Sequence, residues 1–164
     1  MILSKIYKNT LLILAACLVL TACATKKEVA TDAITGQMQG DVYTGNDSVE
    51  YLADGVPDRV FFATNETILT TASRETLRKQ AEYLRKNSSM NIVLEGHADE
   101  RGTREYNLAL GERRANAAKD YLMTYGISAS RISVISYGKE RPVDSGSNTL
   151  AWSKNRRSVT VKAN

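Results

Sequence analysis

The sequence predicts one α/β sandwich, with strands and helices in the order β-α-β-α-β-β and both helices packed on a single face of the sheet. Three observations predict it. At 164 residues, 43% hydrophobic and 24% charged, the chain can fill one hydrophobic core and little more. Strand-type runs recur at RVFFA (59–63), NIVLEG (91–96), RISVISYG (131–138) and SVTVKA (158–163). Two stretches with apolar residues at helical spacing, 71–87 and 105–125, separate the first three of these runs. Helices of that size alternating with strands cover one sheet face and leave the other to solvent or partners.

Each element has its own warrant. In TASRETLRKQAEYLRKN (71–87), Leu77, Ala81 and Leu84 fall on one helical stripe, and a threonine or serine stands ready to cap the start. NIVLEG alternates Ile92 and Leu94 against less apolar neighbours and stops at Gly96. The second helix carries Leu108, Ala115, Ala118, Leu122 and Tyr125 as its stripe, with Gly126 as its stop. RPVDSGSNTLAWSKNRR reads as a loop with one helical turn near Trp152.

The N-terminus reads as an export signal. Lys5 and Lys8 precede the apolar run LLILAACLVL, which is too short to cross a bilayer but has the length of a signal-peptide core. Residues 1–22 are therefore assigned to the signal, 23–55 to a flexible tether that starts at Cys23, and 56–164 to the folded domain. The tether sequence is rich in Thr, Gly, Asp and Gln and lacks sustained periodicity. Its thirty-odd residues would reach roughly 100 Å extended and about 30 Å as a relaxed coil. An ordered segment around Val49 to Leu52 is the alternative. Cys17 leaves with the signal, so only Cys23 remains and no internal disulfide can form.

Charge and composition exclude several functions. Removing Lys5 and Lys8 from 22 basic residues, and no acid from 18, leaves a formal side-chain charge of +2. With no basic run interleaved with aromatics, nothing points to nucleic acid. A single histidine and one remaining cysteine give no metal cluster, and no cofactor is expected. No serine sits in a G-x-S-x-G setting, and a lone His97 in a tight turn is most simply a hydrogen-bonded structural residue.

The stretch GHADERGTREYNLALGERRA (96–115) carries the candidate site. A strand ends there, a loop crosses the sheet edge, and a helix begins, which is where α/β folds place ligands. Asn107, Gly111 and Arg114 stand at i, i+4 and i+7, on one helix face beside the apolar stripe. Gly111 would open a slot between Asn107 and Arg114, with Asp99 above it. A slot with one negative and one positive wall suits a zwitterion, its ammonium on Asp99 and its carboxylate on Arg114. The same residues also fit a plain structural role, in which Asp99 and Arg114 satisfy one another.

The block LEGHADERGTREYNLALGERRANAAKDYL, with RISVISYGKERP and AWSKNRRSVTV, closely resembles the peptidoglycan-associated lipoproteins of the Tol-Pal system, and more broadly the OmpA-like C-terminal domain family. The resemblance covers about residues 58–162. Leu20-Thr21-Ala22-Cys23 likewise resembles a bacterial lipobox, which makes Cys23 the acylated residue, and Ala24 after it implies the outer membrane. The resemblance implies a non-enzymatic protein, lipid-anchored through Cys23, whose domain faces the periplasm and binds diaminopimelate in the peptidoglycan stem peptide. Asp99 and Arg114 match the residues that hold this group, and Asn107 assists. Where the family commonly has a phenylalanine-aspartate pair, this chain has Thr64 and Asn65, the latter a hydrogen-bonding group without charge. Arg156 and Arg157 fall in the family's NRR segment near the site. The resemblance further implies the periplasmic propeller TolB and other Tol proteins as partners, and a part in envelope integrity and outer-membrane invagination at division. The alternatives are a cell-wall hydrolase and a lipoprotein that binds only protein.

Overall fold

The computed structural model describes residues 38–45 and 50–163, all within one unit, Asp32–Asn164. Residues 1–22, expected to be an export signal, and Cys23, expected to be acylated, lie outside the described residues. Two small hairpins come first: β1 (Met38–Gln39) with β2 (Val42–Tyr43), and β3 (Tyr51–Ala53) with β4 (Val56–Pro57). Then follow β5 (Arg59–Phe61), α1 (Thr71–Lys86), β6 (Ile92–His97), α2 (Arg104–Thr124), a 3-10 turn (Ala129–Arg131), β7 (Ile132–Gly138), α3 (Thr149–Asn155) and β8 (Arg157–Lys162). The main sheet has the order β5-β8-β6-β7, with β6 and β7 parallel and the other pairs antiparallel. This is the α+β sandwich that the sequence predicts, with one added short helix where a single turn was expected.

Packing follows the predicted periodicities. Leu77, Ala81 and Leu84 of α1 and Ala115, Ala118 and Leu122 of α2 meet Val60, Ile92, Leu94 and Ile132 of the sheet in one core. Each fully buried leucine there stabilises the fold by about 1.5 to 3 kcal/mol. Thr70 caps α1 by accepting from Ser73 N at 3.1 Å, and Thr103 caps α2 by accepting from Tyr106 N at 3.2 Å. The stripe on α2 differs from expectation by a slight rotation: Leu110 is buried whereas Leu108 is half-buried. Asn107, Gly111 and Arg114 are likewise buried, so they lie on the sheet-facing side rather than beside it. The reason is Gly111, whose missing side chain lets α2 press directly on Gly96 of β6.

The segment expected to be a structureless tether up to residue 55 needs correction over its described part. Tyr43 and Leu52 are buried, and the Tyr43 ring meets Phe61 edge-on with centroids 4.8 Å apart. Aromatic and aliphatic burial, invisible to periodicity in such short runs, docks these hairpins.

The far end of α1 is held by Arg131, which donates to Leu84 O at 3.0 Å, Asn87 O at 2.8 Å and Met90 O at 2.7 Å. These carbonyls lie in the last helical turn and the following loop, where helical partners run out; Asn87 O also accepts the Met90 N–H at 3.1 Å. Arg131→Ala is expected to lower the unfolding free energy by about 2 kcal/mol, since charged donors to carbonyls are worth more than neutral ones. Urea denaturation reads this directly, and a loss below about 0.5 kcal/mol would mean that water replaces the guanidinium.

Candidate functional site

The loop between β6 and α2 is shaped from three sides. Gly102 adopts φ +94, open to glycine at little cost, and turns the chain into the helix. Asn107 Nδ2 donates to Arg101 O at 2.9 Å, and Lys139 Nζ donates to Gly102 O at 2.7 Å and Glu100 O at 3.2 Å. The loop is thereby fixed through its carbonyls, leaving the acid side chain of Asp99 to point inward.

Asp99 is 7% exposed and heavily partnered. Arg101 grips it through Nη2 at 2.7 Å and Nε at 3.1 Å, with the Arg101 backbone N–H at 3.2 Å, and Arg156 Nη1 reaches it at 3.3 Å. Burial alone pushes this carboxyl up, but the Arg101 hydrogen bonds and charge, with help from Arg156, hold it below the ordinary aspartate value. Asp99 is therefore a fixed anion at neutral pH. The Arg101 guanidinium also lies 4.4 Å from the centre of the Trp152 ring and donates to Thr64 Oγ1 at 3.3 Å. Its side chain remains 42% exposed.

Around Asp99 opens a cleft of about 300 Å³, lined by Thr64, Asn65, Asp99, Arg101, Gly102 and Tyr106. That volume sits at the small end of ligand sites and suits one polar group rather than a large ring system. Asn65 has φ +56, the left-handed region that asparagine tolerates better than other side-chain-bearing residues.

The structure thus brings Thr64, Asn65 and Asp99 together in one cleft. It does not place Asn107, Arg114 or Arg157 among the lining residues. Asn107 is buried beneath the loop that it holds. Arg114 is 0% exposed and spends three donors on main-chain carbonyls: Nε to Glu66 O at 3.0 Å, Nη1 to His97 O at 2.9 Å and Nη2 to Ala63 O at 3.0 Å. Burial first, then the charge of Arg156, brings its pKa down to about 10, so it stays cationic at neutral pH. Gly111 makes no ligand slot, because a Cβ there would meet Ser136 Oγ at 2.4 Å and Gly96 O at 2.9 Å. Asp99 and Arg114 do not pair; Asp99 takes Arg101 and Arg156 instead.

The two adjacent arginines diverge where α3 gives way to β8: Arg156 caps the helix and Arg157 opens the strand. Arg156 points to Asp99, while Arg157 faces the other side of the sheet, donating to Arg141 O at 3.2 Å. His97 lies on that side too, against Tyr137, and neither ring nitrogen has a hydrogen-bond partner, contrary to the expectation of a hydrogen-bonded turn residue. Burial, reinforced by the charges of Arg157, Arg59 and Arg141, drives its pKa to about 3, so it stays neutral across ordinary pH. Three cleft or cleft-edge residues escaped the sequence reading: Arg101, Tyr106 and Asp41. For Arg101 a signal existed, since it stands two residues from Asp99 in a loop too tight to send it far.

Comparison with known proteins agrees with this fold. The sequence profile of the OmpA family matches residues 61–156. The chain belongs to the OmpA family. Within the family it groups with the peptidoglycan-associated lipoproteins. It is 44% identical to the protein of that name from Rhizobium meliloti (strain 1021), over 95% of this chain and 89% of the relative. The Agrobacterium fabrum (strain C58 / ATCC 33970) counterpart is 43% identical, over 96% and 89% of the two chains. Among solved structures of the family, the peptidoglycan-associated lipoprotein from Burkholderia pseudomallei gives a TM-score of 0.63 at 35% identity, covering 65% of this chain and 90% of that one. The C-terminal domain of Helicobacter pylori MotB gives 0.60 at 19% identity, covering 65% and 84%, a likeness in fold alone.

Proposed function

We propose that this chain is a non-enzymatic outer-membrane lipoprotein, anchored through acylated Cys23, whose periplasmic domain binds peptidoglycan at the Asp99 cleft. The observation that carries this reading is a buried carboxylate, ionised at neutral pH, that lines a cleft beside a half-exposed arginine. The names of its relatives support peptidoglycan as the target. Diaminopimelate of the stem peptide supplies a zwitterionic end of matching charge. Its ammonium takes the place of the Arg101 guanidinium on Asp99, and the released Arg101 turns to its carboxylate. One internal ion pair is thus exchanged for two across the interface, and no net charge is buried. Arg114 and Asn107 frame the cleft through carbonyls, Thr64 and Asn65 offer polar edges, and Arg156 stays behind Asp99. Each charge-assisted contact contributes about 1.5 to 3 kcal/mol, which makes binding selective yet reversible. In the cell the protein would connect to TolB-like and other Tol proteins and support envelope integrity and division.

Co-sedimentation of the full chain in mild detergent with purified sacculi tests this. Asp99→Asn keeps the size and an acceptor for Arg156 but removes the charge. It is expected to weaken pelleting by at least about tenfold, one charge-assisted contact's worth. Equal pelleting by a folded Asp99→Asn would sink the cleft assignment. Release of soluble muropeptides would make the protein a hydrolase, and absence of any pelleting would leave only protein partners.

A further inference from the structure

The β1–β2 hairpin belongs to the N-terminal segment, yet it ends at the cleft. Its turn, at Gly40 with φ +66, presents Asp41, and buried Tyr43 pins it against Phe61. Asp41 Oδ2 accepts from the Thr64 backbone N–H at 2.6 Å. Arg156 donates to the Asp41 main-chain oxygen and lies 3.9 Å from its carboxylate, while its other end reaches Asp99 at 3.3 Å. Two acids, one from the N-terminal segment and one from the cleft, therefore bracket a single buried guanidinium.

We propose that Asp41 is a positioning residue of the Asp99 cleft, so that docking of the N-terminal hairpin and binding of ligand favour one another. The proposal rests on the reading of that cleft as the peptidoglycan site. Two effects act together. Holding the Thr64 N–H fixes the cleft wall at the point where Asn65 must take its left-handed conformation. The charge matters as well, because Arg101, Arg114 and Arg156 cluster here against Asp99, and Asp41 acts electrostatically on all three. Without it, an incoming ammonium would meet three guanidinium charges balanced by one carboxylate. Coupling of this kind is reciprocal: whatever docking contributes to ligand affinity, ligand returns to docking.

The test uses the full chain in mild detergent with purified sacculi, comparing parent, Asp41→Ala, Asp41→Asn and the Asp99→Asn control. Asp41→Ala is expected to raise the apparent Kd about five- to tenfold, one hydrogen bond's worth, with only a small fall in the unfolding midpoint because the Asp41 side chain is 43% exposed. Asp41→Asn keeps an acceptor for the Thr64 N–H but not the charge, so it should recover part of the loss. Amide exchange at Thr64 should quicken in the alanine variant and less so in the asparagine one. Parent-like binding by folded Asp41→Ala overturns the proposal. If Asp41→Ala melts early, Asp41→Asn decides by the same criterion. A parent that does not bind, or an Asp99→Asn that binds fully, overturns the cleft reading and this proposal with it.

Discussion

Adding one methyl group at Gly96 is expected to destabilise the protein by about 3 kcal/mol or more, beyond the usual overpacking range, and to lower expression of folded chain. A Cβ at Gly96 would stand 1.9 Å from Gly111 O and 2.4 Å from Gly111 C, both backbone atoms of a helix packed along its whole length. No side chain can rotate away to relieve this. Either α2 lifts from β6, which opens the core at Leu94 and Ala115, or β6 loses its register with β7 and β8. Gly111→Ala makes an informative contrast. Its new Cβ would meet the Ser136 Oγ at 2.4 Å and the Gly96 backbone only at 2.9 and 3.0 Å, and alanine regains about 1 kcal/mol of helix propensity over glycine. Its net loss should therefore be smaller than that of Gly96→Ala. Urea unfolding of both variants settles the order, and a Gly96→Ala protein within about 1 kcal/mol of the parent would refute the backbone contact.

The glycine pair also shows what a sequence does and does not disclose. Leu77, Ala81 and Leu84, or Ile92 and Leu94, reveal their elements because period and burial coincide within one segment. That Gly111 serves Gly96 requires knowing that helix and strand touch, so its spacing from Asn107 and Arg114 was read as a ligand slot. The different directions of Arg156 and Arg157 stay hidden for a related reason: the first ends α3 and the second begins β8, a boundary within one short segment that residue identity does not mark. Asp41 left no trace at all, because a two-residue strand has no period and its partner Thr64 lies 23 residues away. Asp99 was legible because a strand-to-helix crossing positions its loop regardless of such details.

Arg114 is where fold and function can be separated by experiment. Replacement by methionine, similar in length but without donors, strips the guanidinium from the carbonyls of Ala63, Glu66 and His97, of which Ala63 O keeps a backbone partner, the Glu66 N–H at 3.2 Å. At about 1 to 3 kcal/mol for each such group, partly offset by relief from burying a charge, the expected loss is about 3 kcal/mol. Arg114→Lys should lose nearly as much, because one ammonium cannot span three diverging carbonyls. Two of these carbonyls belong to residues flanking Thr64 and Asn65, so wall binding should fall together with stability. Arg101→Ala, in contrast, removes a 42% exposed side chain and should lose binding with a much smaller fall in the unfolding midpoint. The pairing of the two readouts is what discriminates. An Arg114→Met chain as stable as its parent that fails to pellet with sacculi would mean that the guanidinium meets ligand directly. The exchange of Arg101 from Asp99 to the ligand carboxylate would then have to be abandoned. Joint loss of stability and binding would instead make Arg114 the frame on which the cleft is hung.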